Sequence, residues 1–401
     1  MSARTKALLA ACVAAALLAA CAAPSSREAV IAFYAGQLDR AEQILQADIA
    51  EDDASQALFL CEDSSVLLAR GDYEQALQTL LRAGGIMESF GGSAGREAVA
   101  VAGEEGHKQW KGEPYERMMN AYYIGLVSYL LGDEDNARAG FKDALFQDAG
   151  SHDQKYESDF GAALYLEGRL ESRRGNRDDA LRSFAEARVG SQNSALLADP
   201  DHLGNLLIVI DVGKGPQKVE SGLQGSRLAY FDGGGHSSGV PVHVDGAAMK
   251  TALIGDVFFQ ATTRGAREVE KILHGKAVAK EIGEAGGVGL LFAGLFGERG
   301  SHGGRTLAAA GAGLLAASQL LRPGADTRHW GSLPREIHMC AVDLAPGTHE
   351  LTIDLPVAGR VREAIAIEPG KERVLYYRAG IPYRRPSMSA PVQGLSRGES
   401  P

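Results

Sequence analysis

The sequence predicts an α+β chain of more than one domain. An α-helical array comes first, then a β-rich, sandwich-like unit that carries a Gly-rich helical hairpin. Three observations predict it. A helix–Gly–helix unit recurs four times before residue 190. Short β-branched runs separated by turn signals dominate after residue 205. Between two groups of those runs lies Gly286–Leu321, built largely of Gly, Ala and Leu. Of 401 residues, 45% are hydrophobic and 23% charged, which suits a folded globular chain. The 50 glycines and only 6% aromatics favour close packing of small residues over a large aromatic core.

Residues 1–20 read as an export signal. Arg4 and Lys6 precede an apolar run, Ala7 to Ala20, broken only by Cys12. About 14 residues are too few for a bilayer-spanning helix, which needs roughly 20, and fit the core of a signal peptide. The run ends Leu18-Ala19-Ala20-Cys21, which resembles a bacterial lipobox. That resemblance implies a lipid (palmitate among its acyl chains) on Cys21, the first mature residue. Ala22, rather than Asp, implies the outer membrane, with the chain facing the periplasm. Several acyl chains on one Cys make a stable anchor.

Residues 21–190 form the array. Its unit reads "YAGQLDRAEQIL", "LARGDYEQALQTLL", "LLGDEDNARAGF" and "SRRGNRDDALRSF". Gly36, Gly71, Gly132 and Gly175 are each followed five residues later by Ala41, Ala76, Ala137 and Ala180. Gly can end one helix in the left-handed conformation. Asp39, Asp72, Asp133 and Asp178 put negative charge near the start of the next helix, where the helix dipole favours it. The Ala lets paired helices approach. The pattern resembles tetratricopeptide repeats, whose period is about 34 residues. Successive glycines are 35, 61 and 43 residues apart, so the repeats are degenerate. The largest insertion, Gly84–Met119, reads as an ordered loop or lid, with Trp110, Pro114, Tyr115 and Arg117 placed to pack it on the array. Repeat arrays present concave surfaces to extended partners, so Trp110, Tyr115 and Arg117 are also candidate binding residues.

Residues 205–378 form the β-rich unit. "LLIVIDVG" is a strand, "GKGPQ" a turn and "KVE" its return. "RLAYF", "VPVHVD" and "LIGDVFFQAT" follow. Val269, Ile272, Leu273 and Val278 give a helix one apolar face within residues 264–282. In the Gly-rich stretch the polar break "ERGSHGGR" divides two short apolar halves. The second, about 16 residues, would rise about 24 Å as a helix, short of a ~30 Å hydrocarbon core. A close-packed hairpin is therefore expected, with oligomeric membrane insertion and a disordered Gly-rich loop as the alternatives. Beyond it, "LAPGT" and "EPGK" are turns between alternating strands that suggest an antiparallel sandwich. Residues 379–401, rich in Pro, Ser and Arg, read as a disordered tail.

The chain order is a lipobox, degenerate repeats, "WKGEPYER", "VIDVGKGPQKVE", "DVFFQATTRGAREVEKILHGKA", "ADTRHWGSLPREIH" and "LAPGTHELTI". It resembles a family of Gram-negative outer-membrane lipoproteins with N-terminal tetratricopeptide-like repeats. The resemblance implies localisation and architecture but no reaction. It also implies a genetic neighbourhood of other outer-membrane lipoproteins, cell-wall-synthase activators among them.

The residues predict no enzyme and no cofactor. The G-x-S-x-G spacings at Gly91–Gly95 and Gly235–Gly239 read as Gly-rich loops and not as the strand–turn–helix of a nucleophile elbow, and there is no Walker loop and no H-E-x-x-H. His236 beside Ser237 and Ser238 reads as a hairpin loop. His329 and His338 lack a third metal ligand. Without Arg4 and Lys6 the chain has 39 basic and 51 acidic residues, a net charge of −12, with no basic stripe to bind nucleic acid. Cys61 and Cys340 are expected as two separately buried thiols, although an exported chain permits a bridge. The strongest candidate binding site is "ADTRHWGSLPREIH". There Trp330 offers a stacking face, Arg328 a clamp for a carboxylate, and Asp326, His329 and Arg335 crowd the same junction. The alternative is an Asp–Arg pair and a Trp that staple helix to sheet. The expected function is a lipid-anchored scaffold or adaptor that holds an envelope protein. The alternative is an accessory that binds peptidoglycan or regulates its synthases.

Overall fold

The computed structural model describes residues 25–89, 109–148, 159–190, 203–221, 227–235, 239–263 and 326–382. Cys21 and the lipobox, the expected helix at 264–282, the Gly286–Leu321 hairpin and the tail beyond Pro382 lie outside the described residues, as does the centre of the Gly84–Met119 insertion. Within them the chain is α+β. Eight helices form four consecutive pairs: α1 (Ser25–Tyr34) with α2 (Leu38–Glu51), α3 (Gln56–Arg70) with α4 (Tyr73–Glu88), α5 (Pro114–Leu130) with α6 (Glu134–Asp148), and α7 (Gly161–Arg173) with α8 (Arg177–Gly190). Among the described residues no helix is long and apolar enough to cross a membrane.

Each pair turns at its expected glycine. Gly36, Gly71, Gly132 and Gly175 all have φ between +73° and +88°. The amide after each glycine donates to the carbonyl five residues earlier: Gln37 to Ala32, Asp72 to Leu67, Asp133 to Ser128 and Asn176 to Glu171. Those bonds satisfy carbonyls that the helix end would leave orphaned. Ala41, Ala76, Ala137 and Ala180 are fully buried where the paired helices meet. The α5/α6 crossing is closer still, since a Cβ on Gly140 would lie 2.5 Å from the amide nitrogen of Gly125. The insertion is shorter than its composition suggested. Gly84–Glu88 complete α4, and Pro114–Met119 begin α5, which Glu113 and Glu116 close with a capping box.

Two four-stranded sheets stack on the array. The inner sheet has the order β10 (Arg373–Arg378), β1 (Leu206–Val212), β7 (Glu336–Val342), β6 (Ala252–Asp256). The outer sheet has the order β5 (Ala247–Met249), β4 (Val242–Val244), β8 (Gly347–Leu355), β9 (Gly359–Ile367). A short helix α9 (Val257–Thr263) follows β6. All seven residues of β1 are buried. Leu207 and Val209 belong to the core shared with the helices, whereas Leu206, Ile208, Ile210 and Val212 belong to the core between the sheets. Continuous apolar character in β1 thus follows from a strand covered on both faces.

Several connections differ from expectation. β1 does not fold back through "GKGPQ". β2 (Gln217–Ser221) pairs instead with β3 (Arg227–Phe231). The reason is that the turn's amides bond elsewhere, Lys214 to the Gly234 carbonyl and Gly215 to that of Leu333. "LAPGT" and "EPGK" join strands of different sheets, β7 to β8 and β9 to β10. The inner sheet is mixed, because β1 and β10 are parallel. "LIGDVFFQAT" is strand only to Asp256 and helix after it. Finally, the fold extends past residue 378. Ala379 and Ile381 are buried, and the Ala379 amide donates to the Asp211 carbonyl.

Helical and β regions share one core cluster, from Ala29 to Ile381. Cys61 lies in the helix-side core and Cys340 between the sheets, and both are free thiols, so the inner sheet separates them.

Candidate functional site

The segment Asp326–Arg335 runs between the array and the inner sheet, and almost every polar group on it has a partner. Trp330 is fully buried. Its backbone amide donates to Glu116 Oε1 on α5 at 2.8 Å. Its indole nitrogen donates to Ser65 Oγ on α3 at 2.9 Å and to Ser332 Oγ at 3.1 Å. Gly331 and Ser332 donate their amides to Glu62 on α3, at 2.6 and 3.1 Å, and the Ser332 hydroxyl also bonds that carboxylate. On the other side, the Tyr34 hydroxyl of α1 donates to the carbonyls of Gly331 and Leu333. Arg378 of β10 reaches the Ser332 carbonyl at 3.3 Å. Gly331 has little room: a Cβ there would meet Val30 at 3.2 Å and Glu62 at 3.5 Å.

The two carboxylates differ in what balances them. Glu116 accepts from the ammonium of Lys218, on β2, at 2.6 Å, and both side chains are buried. Lys218 also donates to the Arg328 carbonyl and lies 5.7 Å from the Tyr115 ring centroid. Among the described residues Glu62 is reached by neutral donors only. Burial pushes its carboxyl up to about 7, against the opposing effect of the Ser332 and Gly331 hydrogen bonds.

A second buried cluster sits nearby. The hydroxyls of Tyr123 and Tyr376 donate to Asp211 Oδ2 at 2.6 and 2.8 Å, and burial raises the Asp211 carboxyl. Arg378 Nη2 donates to the Gly213 carbonyl at 2.8 Å and is 3.4 Å from the Tyr34 hydroxyl.

Of the two sequence readings of this segment, the geometry is that of the Asp–Arg pair and the stapling Trp, and the ligand-binding one is contradicted. Trp330 has no stacking face to offer, because it packs against Tyr123 and is enclosed. Arg328 is not held ready for a ligand carboxylate. It pairs with Asp326 at 2.7 Å and donates to Ala54 O and Ser55 Oγ. Trp110 and Tyr115 are buried beside the same segment, and the Trp110 indole donates to Arg328 O at 3.3 Å. Arg117 turns away, to Gly112 O and Gln147. Arg335 lies at the far end, between Asp232 and Asp256 and against the Phe258 ring. His329 bonds Thr327 O and Gln217, and burial lowers its pKa. His338 bonds Glu336 within the inner sheet. Among the described residues no group of three His, Cys, Asp or Glu side chains could hold a metal ion.

Sequence reasoning missed Glu62, Ser65, Glu116, Lys218 and Ser332. The signal for Glu62 was present, since "FLCEDSSVLL" places four polar residues inside an otherwise apolar helix. Chemically the site holds backbone in place. Carboxylates accept amide and hydroxyl donors, and the enclosed indole fills the space between them. No protein-family model matches this chain, and no curated protein matches it.

Proposed function

We propose that this chain is a non-enzymatic, lipid-anchored scaffold or adaptor of the outer membrane, facing the periplasm, whose helix pairs form a degenerate tetratricopeptide-like array. One observation carries the reading: four successive helix pairs turn at left-handed glycines and bury an Ala five residues later. That is the build of a repeat array, and repeat arrays serve protein association. The lipobox-like Leu18–Cys21 and the resemblance to outer-membrane lipoproteins support the anchor and the compartment.

The first helices α3, α5 and α7 are buried along nearly their whole length, between their neighbouring helices and the chain's own β unit. A partner protein therefore meets the second helices, α2, α4, α6 and α8, each of which leaves one face exposed. The peptidoglycan reading loses its motivating residues, because Trp330 and Arg328 are enclosed and paired.

Palmitate labelling tests the anchor: label is expected in the wild type and absent from Cys21→Ser. Photo-crosslinkers at Leu81 and Leu181, both exposed, test the scaffold in intact cells. The same discrete adduct from both positions is expected, and no reproducible adduct from either would defeat the scaffold reading.

A further inference from the structure

Glu62 is a buried acid held against a strap of the same chain, and no cation among the described residues bonds it. Its three donors are the Gly331 amide, the Ser332 amide and the Ser332 hydroxyl. Among the described residues the groups facing it are few. From α1 comes Tyr34, whose hydroxyl bonds the strap's carbonyls. From α5 comes Glu116, whose charge Lys218 of β2 takes up. From β10 comes Arg378, whose guanidinium donates to the Gly213, Ser332, Asp211 and Ala379 carbonyls and to the Tyr34 hydroxyl. On α3 itself, the Cys61 thiol is pushed well above its ordinary range by burial, and Asp63 bonds Gln46 instead.

We propose that the strap Trp330–Ser332 is a pH-gated clasp, tightened by acid and loosened by base, with Glu62 as the titrating group. When the strap lifts, Glu62 meets water, and an ionised carboxylate is stable there. When the strap is closed, the charge sits in an apolar surround with only neutral donors, and burial disfavours it. The closed state therefore binds a proton more tightly than the open one. Opening releases that proton, so it is favoured as pH rises. The sequence of contacts fits this coupling. Ser332 Oγ accepts from Trp330 Nε1 and bonds Glu62, so the proton on Glu62 and the seat of the indole belong to one chain of hydrogen bonds.

The direction follows from the ordinary Glu value of 4.5 and the closed-state value of about 7. The stabilisation of the closed strap is full below the lower value and is lost as pH rises to the upper one. Between pH 5.5 and 8 the opening constant should rise about 30-fold.

Hydrogen exchange of the full mature chain reads this directly, through protection of the Trp330, Gly331 and Ser332 amides corrected for intrinsic rates. The expected result is a fall in protection of about 30-fold between pH 5.5 and 8 in the wild type. In Glu62→Gln, neutral at every pH, protection should not change with pH. Asp63, which burial raises to about 6, is a separate titrating group on the same helix, so Asp63→Asn should keep the wild-type dependence at the strap. Wild-type protection that does not change with pH, or a dependence that survives in Glu62→Gln, overturns the proposal. If Glu62→Gln does not fold, Ser332→Ala decides. It removes a donor that favours the carboxylate, so the midpoint must move to higher pH, and an unmoved midpoint rejects the clasp.

Discussion

Replacing Trp330 with Ala separates a structural strap from a ligand-binding face. Trp330 is the largest fully buried side chain described, and its ring centroid lies 5.8 Å from that of Tyr123. Truncation removes the indole's transfer free energy and leaves a cavity between α3, α5 and the strap, which together cost about 3–5 kcal/mol for a buried Trp. It also deprives Ser65 and Ser332 of a donor, but both hydroxyls can rotate to other partners. Against a typical total of about 5–15 kcal/mol, the loss is a large share. Trp330→Phe keeps most of the apolar area and loses only the N–H bonds, so it should cost about 1–2 kcal/mol. Urea titration followed by circular dichroism measures both, with an unchanged slope confirming that only stability moved. If Trp330→Ala unfolds within about 0.5 kcal/mol of the wild type while crosslinking to a partner disappears, the enclosed-strap reasoning is wrong.

Three further outcomes follow from the packing. Gly140→Ala would drive a methyl group to 2.5 Å from the Gly125 nitrogen, so α5 and α6 must separate; the loss should be about 3 kcal/mol, at the upper end of overpacking effects, read as a lowered urea midpoint. Cys61 and Cys340 are buried on opposite sides of the inner sheet, so a thiol reagent should count both as free after denaturation and neither before it. Glu372→Gln strips the charge from the partner of Arg169, both side chains being buried, and should cost about 3–5 kcal/mol; combining it with Arg169→Met should recover part of that, and strict additivity in the double-mutant cycle would argue that the pair does not interact.

What could be read from the sequence was what local physics fixes. A glycine that must be left-handed and an alanine that must be small announce themselves within five residues, so all four helix turns were legible. Strand partners are not local. β1 and β10 pair in parallel with more than 160 residues between them, and no turn signal marks such a pairing. The supposed β1–β2 hairpin failed for the same reason, since the amides of Lys214 and Gly215 are claimed by loops far along the chain. The site shows the limit most clearly. Trp330 and Arg328 have the chemistry of ligand-binding residues, and the sequence around them is polar. The groups that satisfy them, Ser65 and Glu116 on Trp330 and Ala54 and Ser55 on Arg328, come from more than 200 residues earlier.

The contacts of the strap belong to a wider pattern. The first helix of every pair carries a polar group that bonds the β unit or its strap: Tyr34 on α1, Glu62 and Ser65 on α3, Glu116 and Tyr123 on α5, Arg169 on α7. Apolar burial alone does not require this. Leu207, Val209, Ile337 and Met339 already give the inner sheet a hydrophobic face toward the helices, and buried ionic groups add little net stability over apolar ones of similar volume. What they add is position. A sheet held only by aliphatic side chains can slide along a helical array by a fraction of a turn at small loss. Displacing Arg169 from Glu372, or Tyr123 from Asp211, leaves a buried charge or hydroxyl unpaired, at a penalty of about 1–3 kcal/mol or more for each group. Four such fixings, one on each helix pair, make any other register expensive. The β unit is therefore held in a single register on the four helix pairs.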